Sequence, residues 1–142
     1  MAMLKGFEKQ TDKLNDYEQD TLLPIMAKCL ERHVGVEKAI TNVEMCQKLK
    51  DRGYKIGEAR VRKIINHIRI HDIVECLIAT SNGYYVSEDI KEILDFIDSL
   101  DGRITAIQAV KEALIRQLNR LLAAMESEDE DTDTIVPPFH VA

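Results

Sequence analysis

The chain has 142 residues, 45% of them hydrophobic and 5% aromatic, with no tryptophan. This hydrophobic share supports a folded core and excludes a wholly disordered chain, and the scarcity of aromatic residues favours helices over a β-sandwich. No apolar run approaches the roughly 20 residues that span a bilayer, and the N-terminus lacks the apolar block of a signal peptide. We therefore expect a cytoplasmic protein that has no membrane partner.

The formal net charge of -6 is distributed unevenly along the chain. Residues 126–133 contain six acidic residues and no basic one, whereas residues 48–69 contain eight basic residues and two acidic ones. A cationic segment in the middle of a chain and an anionic segment at its end indicate an electrostatic partner better than the overall charge does.

The cysteine and histidine residues indicate neither a disulfide framework nor a metal site. Cys29, Cys46 and Cys76 are widely spaced among apolar residues, so we expect the reduced, buried thiols of a cytosolic protein. His67 and His71 have the i, i+4 spacing of a zinc-binding pair, but no second close pair of cysteines or histidines completes a tetrahedral site. The sequence also lacks a glycine-rich phosphate loop and the G-x-S-x-G and H-E-x-x-H motifs. We expect a protein that is not an enzyme and holds no metal or cofactor.

The first predicted helix runs from about Asp20 to His33. Asp20 can cap its N-terminus, and Pro24 lies near its start, where proline is tolerated. An apolar stripe at helical spacing supports the assignment, and its members are Leu23, Met26, Leu30 and Val34. Gly35 is expected to end the helix, because glycine takes a positive φ without strain.

The second predicted helix has a clear start at Thr41 and Glu44, whose spacing is that of a capping box. Ile40 and Met45 occupy the two positions of the accompanying hydrophobic staple. Gly53 ends this helix. Its buried side is predicted to comprise Val43, Met45, Cys46 and Leu49.

The third predicted helix, residues 57–71, is amphipathic and basic. Its apolar face follows the i, i+3, i+4, i+7 spacing of a helix and consists of Val61, Ile64, Ile65 and Ile68. On a helical wheel the opposite side holds Arg62, Lys63, Asn66 and Arg69, flanked by Arg60 and His67. We expect this cationic side to face solvent.

After the third helix the sequence period changes from helical to extended. Residues 73–79 suit a strand, and residues 84–86 suit a second strand that returns beside it. Ser81-Asn82-Gly83 between them predicts a hairpin turn, because Asn-Gly is the dipeptide that a type I′ turn accepts most readily. Three helices followed by a β-hairpin predict a winged helix-turn-helix domain over residues 16–87.

The last predicted helix covers residues 88–125 and is about 57 Å long at 1.5 Å per residue. Its apolar residues alternate at spacings of three and four over about five heptads, which is the a/d pattern of a coiled coil. Only Lys111 interrupts the pattern, at an a position, and the register continues across Asp101-Gly102. We expect this helix to join two copies into a homodimer. Further apolar residues at e and g positions indicate either packing on the helix's own domain or a bundle of more than two helices, and they are Leu94, Phe96, Val110, Ile115 and Leu122.

Both ends of the chain are predicted to lack regular structure. Residues 1–15 are polar and form a flexible lead-in. Residues 126–142 are expected to be a disordered acidic tail, because the acidic run repels itself and Pro137-Pro138 interrupts any helix. The alternatives for this tail are a solubilising segment, a tether that folds back on the basic segment and competes with DNA, and a docking peptide for a protein partner.

The basic third helix favours double-stranded DNA as a partner. A helix fits the major groove, and the N-terminal half of the second helix of a helix-turn-helix contacts the bases. Arg62 and Asn66 suit the reading of guanine and adenine, and basic residues near the turn suit phosphate contacts. Residues 72–90, which include the wing, contain no lysine or arginine. Asn82 in the wing can offer a phosphate a neutral contact. The predicted DNA-binding residues are Lys48, Lys50, Arg52, Lys55, Arg60, Arg62, Lys63, Asn66, His67, Arg69 and Asn82.

Residues 17–120 resemble a group of small phage and prophage winged-helix proteins from gut bacteria. The matching residues are Tyr17-Glu18, Leu23-Pro24, Ala39-Ile40-Thr41, Arg60-Val61-Arg62-Lys63-Ile64-Ile65, Ile68-Arg69, Gly83-Tyr84-Tyr85, Ser99-Leu100 and Arg103. The resemblance implies DNA binding in transcription regulation or in replication initiation, inside a bacterial or phage-infected cell.

The sequence therefore predicts a mainly α (α+β) protein with a winged helix-turn-helix domain, a long heptad-patterned helix and a disordered acidic tail. Its expected function is to bind double-stranded DNA as a homodimer, with helix 57–71 of each copy in the major groove. The alternative is a non-enzymatic interaction adaptor that binds proteins through the winged-helix fold, the heptad helix and the tail. Salt-dependent binding to random duplex DNA separates the two hypotheses.

Overall fold

The structure, a computed structural model, describes residues 13–128. These residues are mainly helical, with a two-stranded antiparallel sheet and a long C-terminal helix. The chain divides into two compact units between Leu94 and Asp95. We call the described parts the first unit (residues 13–94) and the second unit (residues 95–128). None of the helices within the described residues has the length and hydropathy needed to cross a membrane.

Helical structure begins earlier than predicted and passes through a π-helical turn, Glu18–Leu22, into helix α1, Leu23–Glu31. The N-terminal cap is Asn15, and the prediction of an Asp20 cap is wrong. The Asn15 side-chain oxygen accepts a hydrogen bond from the Glu18 N–H at 2.8 Å, and the Glu18 carboxylate accepts one from the Asn15 N–H at 2.9 Å. These reciprocal bonds satisfy N–H groups that the first turn of a helix otherwise leaves without partners.

Helix α2, Asn42–Asp51, starts with the predicted capping box. The Thr41 hydroxyl oxygen accepts a hydrogen bond from the Glu44 N–H at 3.1 Å, and the Glu44 carboxylate accepts one from the Thr41 N–H at 3.2 Å. Both staple residues, Ile40 and Met45, are 1% exposed. The start of α2 is therefore fixed by side chains within a few residues of it, which explains why the sequence predicts it.

Helix α3, Glu58–Ile70, packs its apolar face against α1 and α2. All four residues predicted for this face are buried. Because one side of α3 is held in the core, its opposite side is turned away from it. The other large members of the core are Leu22, Met26, Leu30, Ile40, Met45, Leu49, Val74 and Leu77.

The hairpin after α3 consists of strands β1, Leu77–Thr80, and β2, Gly83–Val86, which pair antiparallel. The register pairs Leu77 with Val86, Ile78 with Tyr85, Ala79 with Tyr84 and Thr80 with Gly83. The prediction of a strand over residues 73–79 is wrong in its first part, because Cys76 has a φ of +58° and lies in a turn. A left-handed residue there redirects the chain just before β1 begins.

The turn of the hairpin, Ser81-Asn82, is not of the predicted type I′. A type I′ turn needs a positive φ at both central residues, and neither of these two is among the described non-glycine residues that have one. The positive φ lies instead at Gly83, where it is +119°. The Thr80 hydroxyl oxygen accepts a hydrogen bond from the Asn82 N–H at 3.2 Å and so stabilises the turn.

Residues 33–41, between α1 and α2, lie alongside β2. This segment contains one 3₁₀ turn, Val36–Lys38, and Gly35 before it has a φ of +88°. The prediction that Gly35 ends the first helix is wrong, because α1 ends at Glu31 and its C-terminal cap is Arg32. Four backbone hydrogen bonds join the segment to the strand, and they run from Ile40 N to Tyr84 O (2.9 Å), Tyr84 N to Ile40 O (2.8 Å), Gly35 N to Val86 O (3.0 Å) and Val86 N to His33 O (2.7 Å).

Helix α4, Ile90–Glu128, comprises 39 residues and is about 58 Å long at 1.5 Å per residue. It continues through Asp101-Gly102 without interruption, and none of its residues is buried. The predicted disorder of residues 126–142 is wrong for residues 126–128, which are helical. Residues 129–142 lie outside the described residues, as do residues 1–12 of the predicted lead-in.

The three cysteines are free thiols. Cys29 and Cys46 are half-buried and Cys76 is exposed. The expectation of buried thiols is therefore wrong for Cys76, because that residue lies in the turn before β1 rather than within a strand.

Candidate nucleic-acid interface

The outward side of α3 presents both side chains that the sequence assigns to base reading. Arg62 and Asn66 are exposed, and Lys63 between them is half-buried. Arg62 Nη2 lies 4.0 Å from the Oε1 of Glu58, and the two side chains are 48% and 50% exposed. An exposed ion pair of this kind contributes little stability. Arg62 can therefore exchange Glu58 for another anion at little cost.

Arg60 does not belong to this surface, although the sequence predicts it as a DNA-binding residue. Its guanidinium donates hydrogen bonds from Nε and Nη2 to the two carboxylate oxygens of Glu18, each 2.7 Å long. Nη2 also donates to the Lys13 carbonyl at 2.9 Å. The side chain of Arg60 is only 16% exposed and that of Glu18 only 4%. Because a phosphate contact would leave this buried carboxylate without its cation, Arg60 is a structural residue that ties α3 to the turn before α1.

His67 and Arg69, two further predicted DNA-binding residues, are half-buried on α3. Burial lowers the pKa of His67 below its usual value of 6.5, and the nearby His71 and Lys63 lower it further. The rings of His67 and His71 lie 4.2 Å apart between centroids. His67 is therefore uncharged at neutral pH, and it can offer a ligand a hydrogen bond but no positive charge.

Two of the predicted basic residues, Lys50 and Lys55, lie beside the first turn of α3. They line a groove together with Val43, Cys46, Gln47, Gly53, Tyr54, Ile56 and Glu58. Val43 is 61% exposed, so its predicted place on the buried side of α2 is wrong. Burial and the Glu58 charge raise the pKa of the Cys46 thiol, and Arg62 opposes them. The thiol is therefore protonated at neutral pH and is a poor nucleophile.

The other two, Lys48 and Arg52, lie where α2 faces α1. They share a cavity of about 390 Å³ with Lys28, Arg32 and His33. Lys48 Nζ lies 3.4 Å from Nε2 of His33. The cavity also has apolar lining residues, which are Ile25, Cys29, Met45 and Leu49. The basic residues that the sequence groups around the turn thus belong to two separate surfaces.

Lys28 and Arg32 are cationic residues of this cavity that the sequence reasoning missed. They are four residues apart at the end of the first helix, and Lys48 and Arg52 have the same spacing at the end of the second. Residues four apart lie on one side of a helix. Two such basic pairs on consecutive helices are the sequence pattern that could have indicated this cavity.

The tip of the hairpin contributes Asn82, which is exposed. Residues 72–90 contain no lysine or arginine. A side-chain amide can donate a hydrogen bond to a phosphate oxygen, but it neutralises no charge. The hairpin therefore offers weaker attraction to a polyanion than the surface around α3 does.

Comparison of the chain with known protein families, with characterised proteins and with solved structures finds no match. Within residues 13–128, no three side chains of the metal-ligand types come together at a place that could hold a metal ion. The exposed cationic and amide groups of the surface around α3 can make ionic contacts and hydrogen bonds.

Proposed function

We propose that the first unit is a winged helix-turn-helix domain that binds double-stranded DNA with α3 in the major groove. The order of its elements supports this fold, since α1, α2 and α3 precede the β1–β2 hairpin. In this proposal α2 and α3 form the helix-turn-helix, and the hairpin is the wing.

The exposure of Arg62 and Asn66 on the outward side of α3 is the observation that carries the proposal. Arginine donates two hydrogen bonds to guanine, and asparagine pairs with adenine through its amide. The two residues are four apart, so both face the same groove when α3 lies in it. Lys50 and Lys55 beside the first turn of α3 supply positive charge for the phosphates at the edge of the groove.

We further propose that α4 joins two copies, so that two α3 helices read two half-sites. The exposed apolar residues of α4 support this pairing. The family resemblance of residues 17–120 adds a role in transcription regulation or replication initiation, in the cytoplasm of a bacterial or phage-infected cell.

Replacing Arg62 and Asn66 together with alanine is expected to abolish preference for a site selected from random duplexes. A good bidentate contact discriminates between bases by about 1–3 kcal/mol, and the double variant loses both. Gel-shift titrations with the selected site and a scrambled duplex measure the preference. Arg116→Ala is the matched control, because it removes the same charge from the second unit and should keep the preference. An unchanged preference in the double variant contradicts the proposal.

Lys50→Ala is expected to weaken binding to every duplex by a similar factor. A lysine that contacts a phosphate releases counterions, so its loss lowers the slope of log affinity against log salt by about 1. Anisotropy titrations of one selected and one scrambled duplex at several salt concentrations measure this slope. Lys91→Ala, at an exposed lysine of α4, controls for the change in net charge and should leave the slope unchanged. Loss of affinity for the selected site alone would instead assign Lys50 to base reading.

The alternative function, a protein-binding adaptor, makes the opposite prediction for the same titrations. An adaptor shows no salt-dependent affinity for random duplex DNA, because it has no phosphate contacts to lose. That result from the intact protein would overturn the DNA-binding proposal.

A further inference from the structure

An exposed apolar stripe runs along the part of α4 that belongs to the second unit. Ile104, Ile107 and Leu114 in the middle of the stripe are 64%, 69% and 59% exposed. Residues at the same a and d positions continue the stripe towards both ends of the helix, and they include Ile97, Leu100, Leu118 and Leu121. A continuous exposed apolar stripe of this length is typical of a surface that another helix covers.

We infer that α4 of a second copy covers this stripe in antiparallel orientation, with the pair centred at the level of residue 109. The inference rests on the homodimer proposed above and adds its orientation and register. Residue 109 is the midpoint of Ile90–Glu128, so the two helices overlap over their full length. In this register each a residue faces a d residue of the other copy. The central layers pair Ile97 with Leu121, Leu100 with Leu118, Ile104 with Leu114, and Ile107 with Lys111.

Lys111, the one charged residue at the a and d positions from Ile90 to Met125, favours the antiparallel orientation. In a parallel pair in register, identical positions face each other, and two Lys111 ammonium groups would share one layer. Like charges at such close quarters repel each other most where solvent is excluded. In the antiparallel pair each Lys111 faces Ile107 of the other copy. Its aliphatic stem can then lie across the isoleucine while the ammonium group reaches water.

The residues that flank the stripe match better in the antiparallel pair. In a parallel pair each g residue of one helix lies beside the e residue five positions later on the other helix. Phe96 would then lie next to Asp101, and Gln117 would lie next to Leu122. The antiparallel pair sets e beside e and g beside g. Its flanking contacts are Leu94 with Leu122, Phe96 with Ala124, Val110 with Val110, Gln108 with Gln108, Arg103 with Gln117, and Asp101 with Ile115. In the parallel pair two of the four flanking contacts set a polar side chain against an apolar one, whereas in the antiparallel pair only the last of the six does, so the broad apolar face of α4 is used within a two-helix pair.

The charges along α4 also favour antiparallel pairing. Residues 95–101 carry three acidic residues and no basic one, and residues 111–120 carry three basic residues and one acidic one. A parallel pair brings each segment beside its own copy, where like charges repel. The antiparallel pair centred at residue 109 instead sets residues 95–101 of one copy opposite residues 117–123 of the other, which carry Arg120 and no acidic residue.

Disulfide cross-linking of the full-length chain tests the orientation and the register. In a Cys76→Ser background, which removes the exposed thiol, one chain carries Ile97→Cys and another carries Leu121→Cys. The two are mixed in denaturant, refolded together, oxidised and compared with each chain alone on a non-reducing gel. Because a disulfide forms only between Cα atoms less than about 7 Å apart, we expect on the order of tenfold more cross-linked dimer in the mixture than in either chain alone.

A mixture of the Ile97→Cys and Leu114→Cys chains is the register control. In the inferred register residue 97 faces residue 121, so residue 114 lies one heptad, about 10 Å, away along the helix. We therefore expect no enrichment of cross-linked dimer in this mixture. Efficient cross-linking of the Ile97→Cys chain alone would overturn the inference in favour of a parallel pair. A single-chain mass by light scattering at tens of micromolar would overturn it by removing the pair itself. Neither experiment contains DNA, so neither result bears on DNA binding by the first unit, which the titrations above test separately.

Discussion

Gly83→Ala is expected to lower the free energy of unfolding of the first unit by about 3 kcal/mol. A Cβ atom at this position would lie 2.6 Å from the carbonyl carbon and oxygen of Ile40 and 2.9 Å from the nitrogen of Thr41. Backbone atoms cannot yield to it as the end of a side chain can, so residues 33–41 must move away from β2. The two hydrogen bonds between Ile40 and Tyr84, at 2.9 and 2.8 Å, are then lost or stretched. The φ of +119° at Gly83 adds strain for any residue that has a Cβ.

Tyrosine fluorescence during urea unfolding measures this loss in the first unit alone. The chain has four tyrosines and no tryptophan, and all four lie in that unit, at Tyr17, Tyr54, Tyr84 and Tyr85. Gly53→Ala is the matched control, because Gly53 has a φ of +88° but a Cβ atom there would have nothing within 4 Å of it. Gly53→Ala should lower the free energy of unfolding only by the cost of a positive φ at a residue with a Cβ atom, about 1 kcal/mol. Equal losses in the two variants would contradict the role given to the contact with Ile40.

Features that depend on a few neighbouring residues could be predicted from the sequence. The capping box of Thr41 and Glu44 has both of its hydrogen bonds, and the apolar side of α3 is buried. Asn15 and Glu18 have the same spacing as the box of α2, so the true start of the first helix was also open to sequence analysis. Such features need no knowledge of the tertiary fold, because all their atoms lie within one or two turns.

Features that depend on distant segments could not be predicted. Arg60 and Arg62 are equally basic in the sequence, but only Arg60 meets a carboxylate from a residue 42 positions away. Gly83 is usable in many kinds of turn, and its need for space comes from Ile40 on another segment. The division of the basic residues between two surfaces likewise depends on where α1 packs beside α2. In each case a long-range contact decides the role of a residue whose local pattern is ambiguous.

Glu18→Gln is the other variant for which we expect a loss of stability of about 3 kcal/mol at neutral pH, since it leaves a largely buried arginine without its counter-charge. Glu18 accepts hydrogen bonds from Arg60 Nε and Nη2 at 2.7 Å each and from the Asn15 N–H at 2.9 Å. A glutamine presents an NH₂ group to one of these donors, so it loses a hydrogen bond as well as the charge. Glu58→Gln is the matched control, because its partner Arg62 is 4.0 Å away and both side chains are about half exposed. Glu58→Gln should lower the free energy of unfolding by less than about 0.5 kcal/mol.

The pH dependence of this difference distinguishes the ion pair from simple packing. The hydrogen bonds from Arg60 lower the pKa of Glu18 below its ordinary value of 4.5, burial opposes them, and the Asn15 bond and the Arg60 charge lower it further. A carboxyl group whose pKa is lower in the folded state stabilises the fold above its unfolded pKa and loses that contribution as the pH falls through the folded pKa. The free energies of unfolding of the wild type and of Glu18→Gln, measured with urea, should therefore differ by a constant amount from about pH 7 to pH 5. The difference should shrink as the pH falls from about 4.5 through the folded pKa. A difference that is the same at pH 3 as at pH 7 would mean that Glu18 stabilises the first unit through its shape rather than its charge.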